Sequence, residues 1–256
     1  MSADDSRYFS FQGKVYLGTR QSNGKPGVLT WVNDSALCEV QLESTIEEKT
    51  ESYSGNRMVA ARMSKGKKAN ITLQLETLAV SGLALGLYSS VITIAPGTVT
   101  AEPFPALVAV GDTVMLDKPG VTNLVVSDST ATPKTLVLDT DYRIDSPGNG
   151  LVKMLSLGTY TQPFKAAYSY AGGVNLAMFT QPVPERYLVL DGINTVTNER
   201  VRTSLFRVQF DPTDSIPLIN DSFAKLTLKG SVLYDAVNAN NANLGGFGRM
   251  EMPAQT

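Results

Sequence analysis

The chain contains no histidine. That excludes Ser-His-Asp and Cys-His nucleophile arrangements, the common zinc sites and the usual general base near neutral pH. Paired carboxylates or a lysine remain open as catalysts, but the expectation is a protein that is not an enzyme. Cys38 is the only cysteine, so neither an intrachain disulfide nor a cysteine-based zinc centre can form. It sits in Ala36-Leu37-Cys38-Glu39-Val40, next to an alternating run, and reads as a small half-buried hydrophobe. Trp31 is the only tryptophan, and the ten tyrosines and nine phenylalanines are scattered rather than interleaved with a basic stripe, which argues against a stacking platform for single-stranded nucleic acid. No stretch approaches the roughly 20 apolar residues of a membrane-spanning helix. The first residues carry Asp4 and Asp5 where a signal peptide places basic and then apolar residues. A soluble protein made in the cytoplasm is expected. Net charge is also scarce, at −2 from 22 basic and 24 acidic residues. A protein that grips DNA should be basic on at least one face, so if DNA meets this chain the balance favours passage over binding.

What is present is core-forming and β-prone. With 256 residues, 43% of them hydrophobic and 18% charged, the chain can build one large β domain or two small ones. Ile71, Leu73 and Leu75 alternate with Thr72, Gln74 and Glu76, the period-2 pattern of a half-buried strand. Val40 and Leu42 are expected inward in the same way. Phe206, Val208 and Phe210 alternate with Arg207 and Gln209, and Leu226 and Leu228 with Lys225, Thr227 and Lys229. One helix is expected between Thr77 and Tyr88, with Val80, Leu83, Ala84 and Leu87 on one face and Thr77 as N-cap. Gly82 and Gly86 weaken it by roughly 1 kcal/mol each. From about Pro96 to Thr180, Pro-Gly pairs punctuate short strand-like runs, and residues 141–155 read as strand, turn, strand. The fold expected is mainly β: an antiparallel β-sandwich or barrel-like arrangement with one short α-helix and a β-rich insertion. Residues 1–97 and 180–256 form its main domain, and 98–179 the insertion or second subdomain.

Residues 44–68 join two of these strands by a stretch too long for a tight hairpin and without clear periodicity, which marks a functional or disordered connection. Glu43, Glu47, Glu48 and Glu51 precede a bend at Ser54-Gly55-Asn56; Arg57, Arg62, Lys65, Lys67 and Lys68 follow it. Two readings stay open. The arms pair with each other as a solvated hairpin, each pair contributing about 0.2–1 kcal/mol. Alternatively the segment is a head-to-tail connector whose charges set the register of a neighbouring copy. Met58, Val59, Ala60, Ala61 and Met63 favour a buried contact. The candidate contact residues are thus Glu47, Glu48, Glu51, Arg57, Met58, Arg62, Met63, Lys65, Lys67 and Lys68.

Elsewhere no chemistry is expected, and no cofactor. Asp139-Thr140-Asp141 and Asp211-Pro212-Thr213-Asp214 are turn signatures before they are cation sites. Lys65 to Lys68 reads as a solvated basic run. Gly172-Gly173 and the Gly245–Gly248 cluster match no phosphate-binding loop, and the latter reads as a flexible, turn-rich tail.

The order of these features resembles the tail tube (major tail) proteins of tailed bacteriophages. It runs from Phe11 to Gly18, through the long charged segment and the strand Ala69 to Glu76, into the short helix around Leu83 to Tyr88. It continues through Asp139 to Asp145, Phe164 to Tyr170, Tyr187 to Asn194, Leu205 to Pro212, Leu218 to Asp221 and Leu226 to Asp235. The resemblance implies a subunit of the viral tail that closes into hexameric rings stacking into a tube, a conduit for double-stranded DNA that passes without specific binding. It implies assembly in the host cytoplasm, contacts between rings through Ser44–Lys68, and tape-measure, terminator and baseplate or distal-tail proteins as partners, with no membrane. A tail terminator or baseplate ring subunit, or a β-rich carbohydrate-binding adhesin module, are the alternatives.

Overall fold

The computed structural model describes residues 8–253; Asp4 and Asp5, on which the signal-peptide reading rests, lie outside them. In chain order the first strands are β1 (Phe11–Arg20), β2 (Pro26–Trp31), β3 (Ser35–Thr50) and β4 (Val59–Leu75), followed by helix α1 (Val80–Gly86). Then come β5 (Ser90–Ile94), β6 (Gly97–Pro103), β7 (Thr113–Met115), β8 (Val121–Ser127), β9 (Tyr142–Ser146), β10 (Leu151–Met154), β11 (Lys165–Tyr170) and β12 (Gly173–Ala177). The chain closes with β13 (Glu185–Asn194), β14 (Arg200–Phe210), β15 (Leu226–Val232), helix α2 (Ala236–Ala239) and β16 (Gly248–Glu251). The protein is mainly β, its strand pairs antiparallel, and no sheet closes into a barrel among the described residues.

Two compact units form: one from the chain up to Ser90 together with Leu176 onward, the other from Val91–Asn175. In the first, one sheet runs β2-β1-β13-β14-β15-β4-β3, with β16 also pairing β14. Its core gathers Val15, Ile71, Leu73, Leu75, Leu188, Leu205, Val208, Phe210, Leu226 and Leu228, all nearly or wholly removed from solvent. The alternating apolar positions of β4, β14 and β15 supply most of it, because a period of two places them on one face. One interruption matters. Between Leu205 and Val208, β14 advances three residues while β13 advances two, from Leu188 to Arg186. This bulge re-phases the strand, so Leu205 and Val208 both join the main core. Phe206 instead packs on Tyr187, ring centroids 5.8 Å apart.

The second unit has its own core, including Val114, Leu116, Val126, Tyr142, Val152, Met154, Phe164 and Tyr168. It contains two three-stranded sheets, β7-β10-β9 and β6-β11-β8. Strands β5 and β12 pair as a two-stranded ribbon on the two chain passages between the units.

Four expectations are corrected. The helix is shorter than Thr77–Tyr88, and Ala79, not Thr77, stands at its N-cap, with no side-chain capping bond. Its buried residues are Gly82, Leu85 and Gly86, because a Cβ on either glycine would lie 2.9 Å from a Leu75 methyl or 3.0 Å from a Leu228 methyl. The glycines that weaken the helix in isolation are what lets it approach the sheet. The Leu42 side chain is 78% exposed and Val40 only partly covered, because β3 runs out past the core at that point. The Gly245–Gly248 tail is folded: Gly248 starts β16, which pairs with β14. The turn before it forms α2, a second helix where the pattern indicates one. Asp235 caps α2 by accepting from the Val237 backbone N–H at 3.0 Å. It also receives Arg20 Nε at 2.9 Å and Nη2 at 2.8 Å, and Asn238 Nδ2 at 2.9 Å.

Candidate assembly interface

Strands β3 and β4 pair continuously from Ser35↔Leu75 to Thr50↔Val59. The segment is therefore an extension of the sheet: its arms pair as a long hairpin, a two-stranded ribbon. From Gln41 to Lys68 every residue except Glu51 is exposed, on both faces of the ribbon. The part from Glu43 to Thr50 alone spans about 25 Å at ~3.3 Å per residue.

The candidate residues fall along this ribbon. Glu47 and Glu48 lie on β3; Arg62, Met63, Lys65, Lys67 and Lys68 lie on β4, with Glu47 opposite Met63 and Glu48 opposite Arg62. Lys65 Nζ meets Glu47 Oε2 at 2.5 Å and Arg62 Nε meets Glu48 Oε1 at 3.7 Å. These four charges thus pair within one chain, as in the solvated-hairpin reading, and at this exposure each pair contributes at most about 1 kcal/mol. Lys49 also sits in the otherwise acidic arm, a residue the charge-segregation argument passes over.

Glu51 does something the sequence does not announce. Its carboxylate accepts from the Tyr53 and Ser54 backbone N–H groups, each at 2.8 Å, from Met58 N–H at 3.3 Å and from the Ser54 hydroxyl. The Ser54 hydroxyl and these N–H groups hold its pKa down to about 2, because each donor favours the charged form. The ribbon tip is thereby a fixed turn, with Gly55 at φ 82° and Arg57 at φ 50°, both in the left-handed region. It presents Tyr53 (89% exposed), Met58 and Val59 to solvent, with Met63 on the arm behind.

At the other end of β4, Leu75 pairs with Leu226 of β15. Residues 211–225, which lead into β15, therefore lie at the end of the sheet opposite the ribbon tip. There Leu78, Leu83, Leu87, Met178, Leu218 and Phe223 are among the residues lining an open groove of about 590 Å³. Leu218, Ile219 and Phe223 are almost fully exposed.

The remaining sequence candidates are structural. Asp141 Oδ2 accepts from Val137 N–H at 2.8 Å and from the Tyr160 hydroxyl at 2.9 Å, which closes a turn. Asp214 pairs with Lys229 at 2.7 Å. Among the described residues no three carboxylates, cysteines or histidines gather as a metal site. Cys38 is packed against the main core, and burial pushes its thiol up to about 11, which leaves it protonated at neutral pH. No helix among the described residues is long and apolar enough to cross a membrane.

Fold and surface together define a mainly β protein with a projecting, exposed two-stranded ribbon. The chain belongs to the family described as Protein of unknown function UCP028589, whose model matches residues 8–251. Comparison with the curated proteins found no match.

Proposed function

We propose that this protein is a structural subunit without catalytic activity, the repeating unit of a bacteriophage tail tube. Copies close into hexameric rings, and rings stack into a conduit through which double-stranded DNA passes without specific binding. The observation that carries the reading is the ribbon. A free two-stranded ribbon is marginally stable in water, and this one exposes Tyr53, Met58, Val59 and Met63. A neighbouring copy covering those side chains would supply the burial that the single chain lacks.

A second feature supports it. Strands β2 and β3 stand at the ends of the main sheet's order, each with one partner among the described strands. Open edges are sites for pairing between chains, and a head-to-tail contact of this kind produces rings or filaments rather than closed dimers. On this reading the protein works in the virion tail, is assembled in the host cytoplasm, and meets tape-measure, terminator and baseplate proteins.

Negative-stain microscopy of the concentrated purified protein tests it. Long hollow tubes are expected. Isolated rings would replace the tube with a terminator or baseplate part, and monomers with affinity for glycans would replace it with an adhesin module.

A further inference from the structure

We infer that a cavity in the first unit, between α1, β2 and the main sheet, binds a small amphipathic carboxylate, with its charged head on Arg186 and its apolar body against the core. The site lies within one chain, so the inference goes beyond the tube reading and does not rest on it.

The first observation is an arginine without an anion. Among the described residues four arginines are half-buried. Three of them hold carboxylates: Arg20 pairs with Asp235, Arg207 with Glu185 and Arg249 with Glu251. Arg186 has none. Its Nη1 donates to the Glu185 backbone carbonyl at 3.1 Å, and the rest of its five N–H donors have no partner among the described residues. Glu185, the acid beside it in the chain, is already engaged by Arg207. Burial lowers the pKa of the Arg186 guanidinium, as expected of a cation moved out of water with no anion in return.

The second observation is the space beside it. Arg186 lines a cavity of about 240 Å³. At ~30 Å³ per molecule of liquid water the cavity holds roughly eight waters, or one compact organic molecule. Its floor is apolar: Val32, Leu75, Leu85 and Leu228 line it and are at most 8% exposed. Its rim is open and polar, with Thr19, Thr30 and Ser81 exposed. Waters against such a floor are poorly held, and an apolar group that displaces them gains affinity.

Together these define the ligand class. One planar guanidinium matches one carboxylate, whose two oxygens accept from its fork. The aliphatic floor asks for an apolar body on the same molecule, which inorganic phosphate or sulfate lacks.

Isothermal titration of the full-length chain tests the site, with octanoate, uncharged octanol and inorganic phosphate as probes. Octanoate is expected to bind about tenfold or more tighter than octanol, because only its carboxylate engages the guanidinium. Phosphate is expected not to bind. Equal binding of octanoate and octanol would overturn the role of Arg186. Phosphate binding as tight as that of octanoate would overturn the amphipathic class, and no binding of any probe would overturn the site. Arg186→Met removes an unpaired, desolvated cation while keeping an unbranched side chain. Its melting temperature is expected to equal or exceed that of the parent, and its preference for octanoate over octanol to vanish. A preference that survives in this variant would place the anion elsewhere. A large fall in melting temperature would assign the guanidinium to the fold instead of a ligand; either result overturns the inference. Tube formation by the unaltered chain is scored separately and bears on the tube reading alone.

Discussion

Asp235 and Arg20 stand 215 residues apart in the chain, yet the guanidinium donates to both oxygens of a carboxylate that is wholly out of solvent. Asn238 completes the arrangement by donating to Asp235 and to the Gly24 carbonyl, both at 2.9 Å. Strand β1, its turn and α2 are thereby tied at one point. The Arg20 bond, followed by the Asn238 and backbone donors, outweighs burial and holds the Asp235 carboxyl down to about 2 from its ordinary 3.8. A lowered carboxyl pKa stabilises the folded state at pH values above the unfolded pKa, and that contribution fades as pH falls from about 4 towards 2. Replacing Asp235 by Ala leaves Arg20 without its partner and α2 without its cap. We expect a loss of about 3 kcal/mol or more, read as a lowered urea midpoint at pH 7, with the gap to the parent narrowing below pH 4. Nothing in the sequence marks this pair, since local patterning carries no information on which distant charges meet.

Secondary-structure elements were legible where one face is buried and obscure where none or both are. The alternations in Ala69–Leu75 and Leu226–Val232 predict strands because a core lies on one side only, and those side chains are buried. Residues 44–68 show no such period for the complementary reason: a ribbon wet on both faces places no constraint on alternate positions. The same logic misplaces Leu42, which continues the alternation although the core has already ended. In α1 the apolar stripe suggests Val80, Leu83, Ala84 and Leu87 as the packing face; Leu83 does pack against the core, but the buried positions are Gly82, Leu85 and Gly86. Tyr88 then anchors the helix end, its hydroxyl donating to the Phe210 carbonyl at 2.6 Å. Gly86→Val would push branched methyls into Leu228 and Thr213, since even a Cβ lies 3.0 and 3.5 Å from their atoms. A loss of roughly 1–3 kcal/mol is expected in a denaturant titration, without change in the second unit's transition.

At the scale of the molecule, residues 91–175 bury a core of their own, from Phe104 and Val126 to Phe164 and Tyr168. A fragment of about this size can fold on its own core alone. Expressed by itself, Val91–Asn175 is expected to give dispersed amide resonances and a single cooperative melt; a collapsed, undispersed spectrum would show that it depends on the rest of the chain. The sequence by itself determined the β class, the buried positions of β4 and β15 and part of those of β14, and that neither histidine-based chemistry nor an intrachain disulfide is possible, because composition fixes which side chains exist and period-2 patterning reports one-sided burial. Only the tertiary structure decided the rest: that the charged segment is a projecting ribbon with a carboxylate-fixed tip, that Asp235 holds Arg20, and that an apolar groove lies at the far end of the same strand. Each of these depends on strand register and on residues brought together across long stretches of chain, which local patterning does not encode.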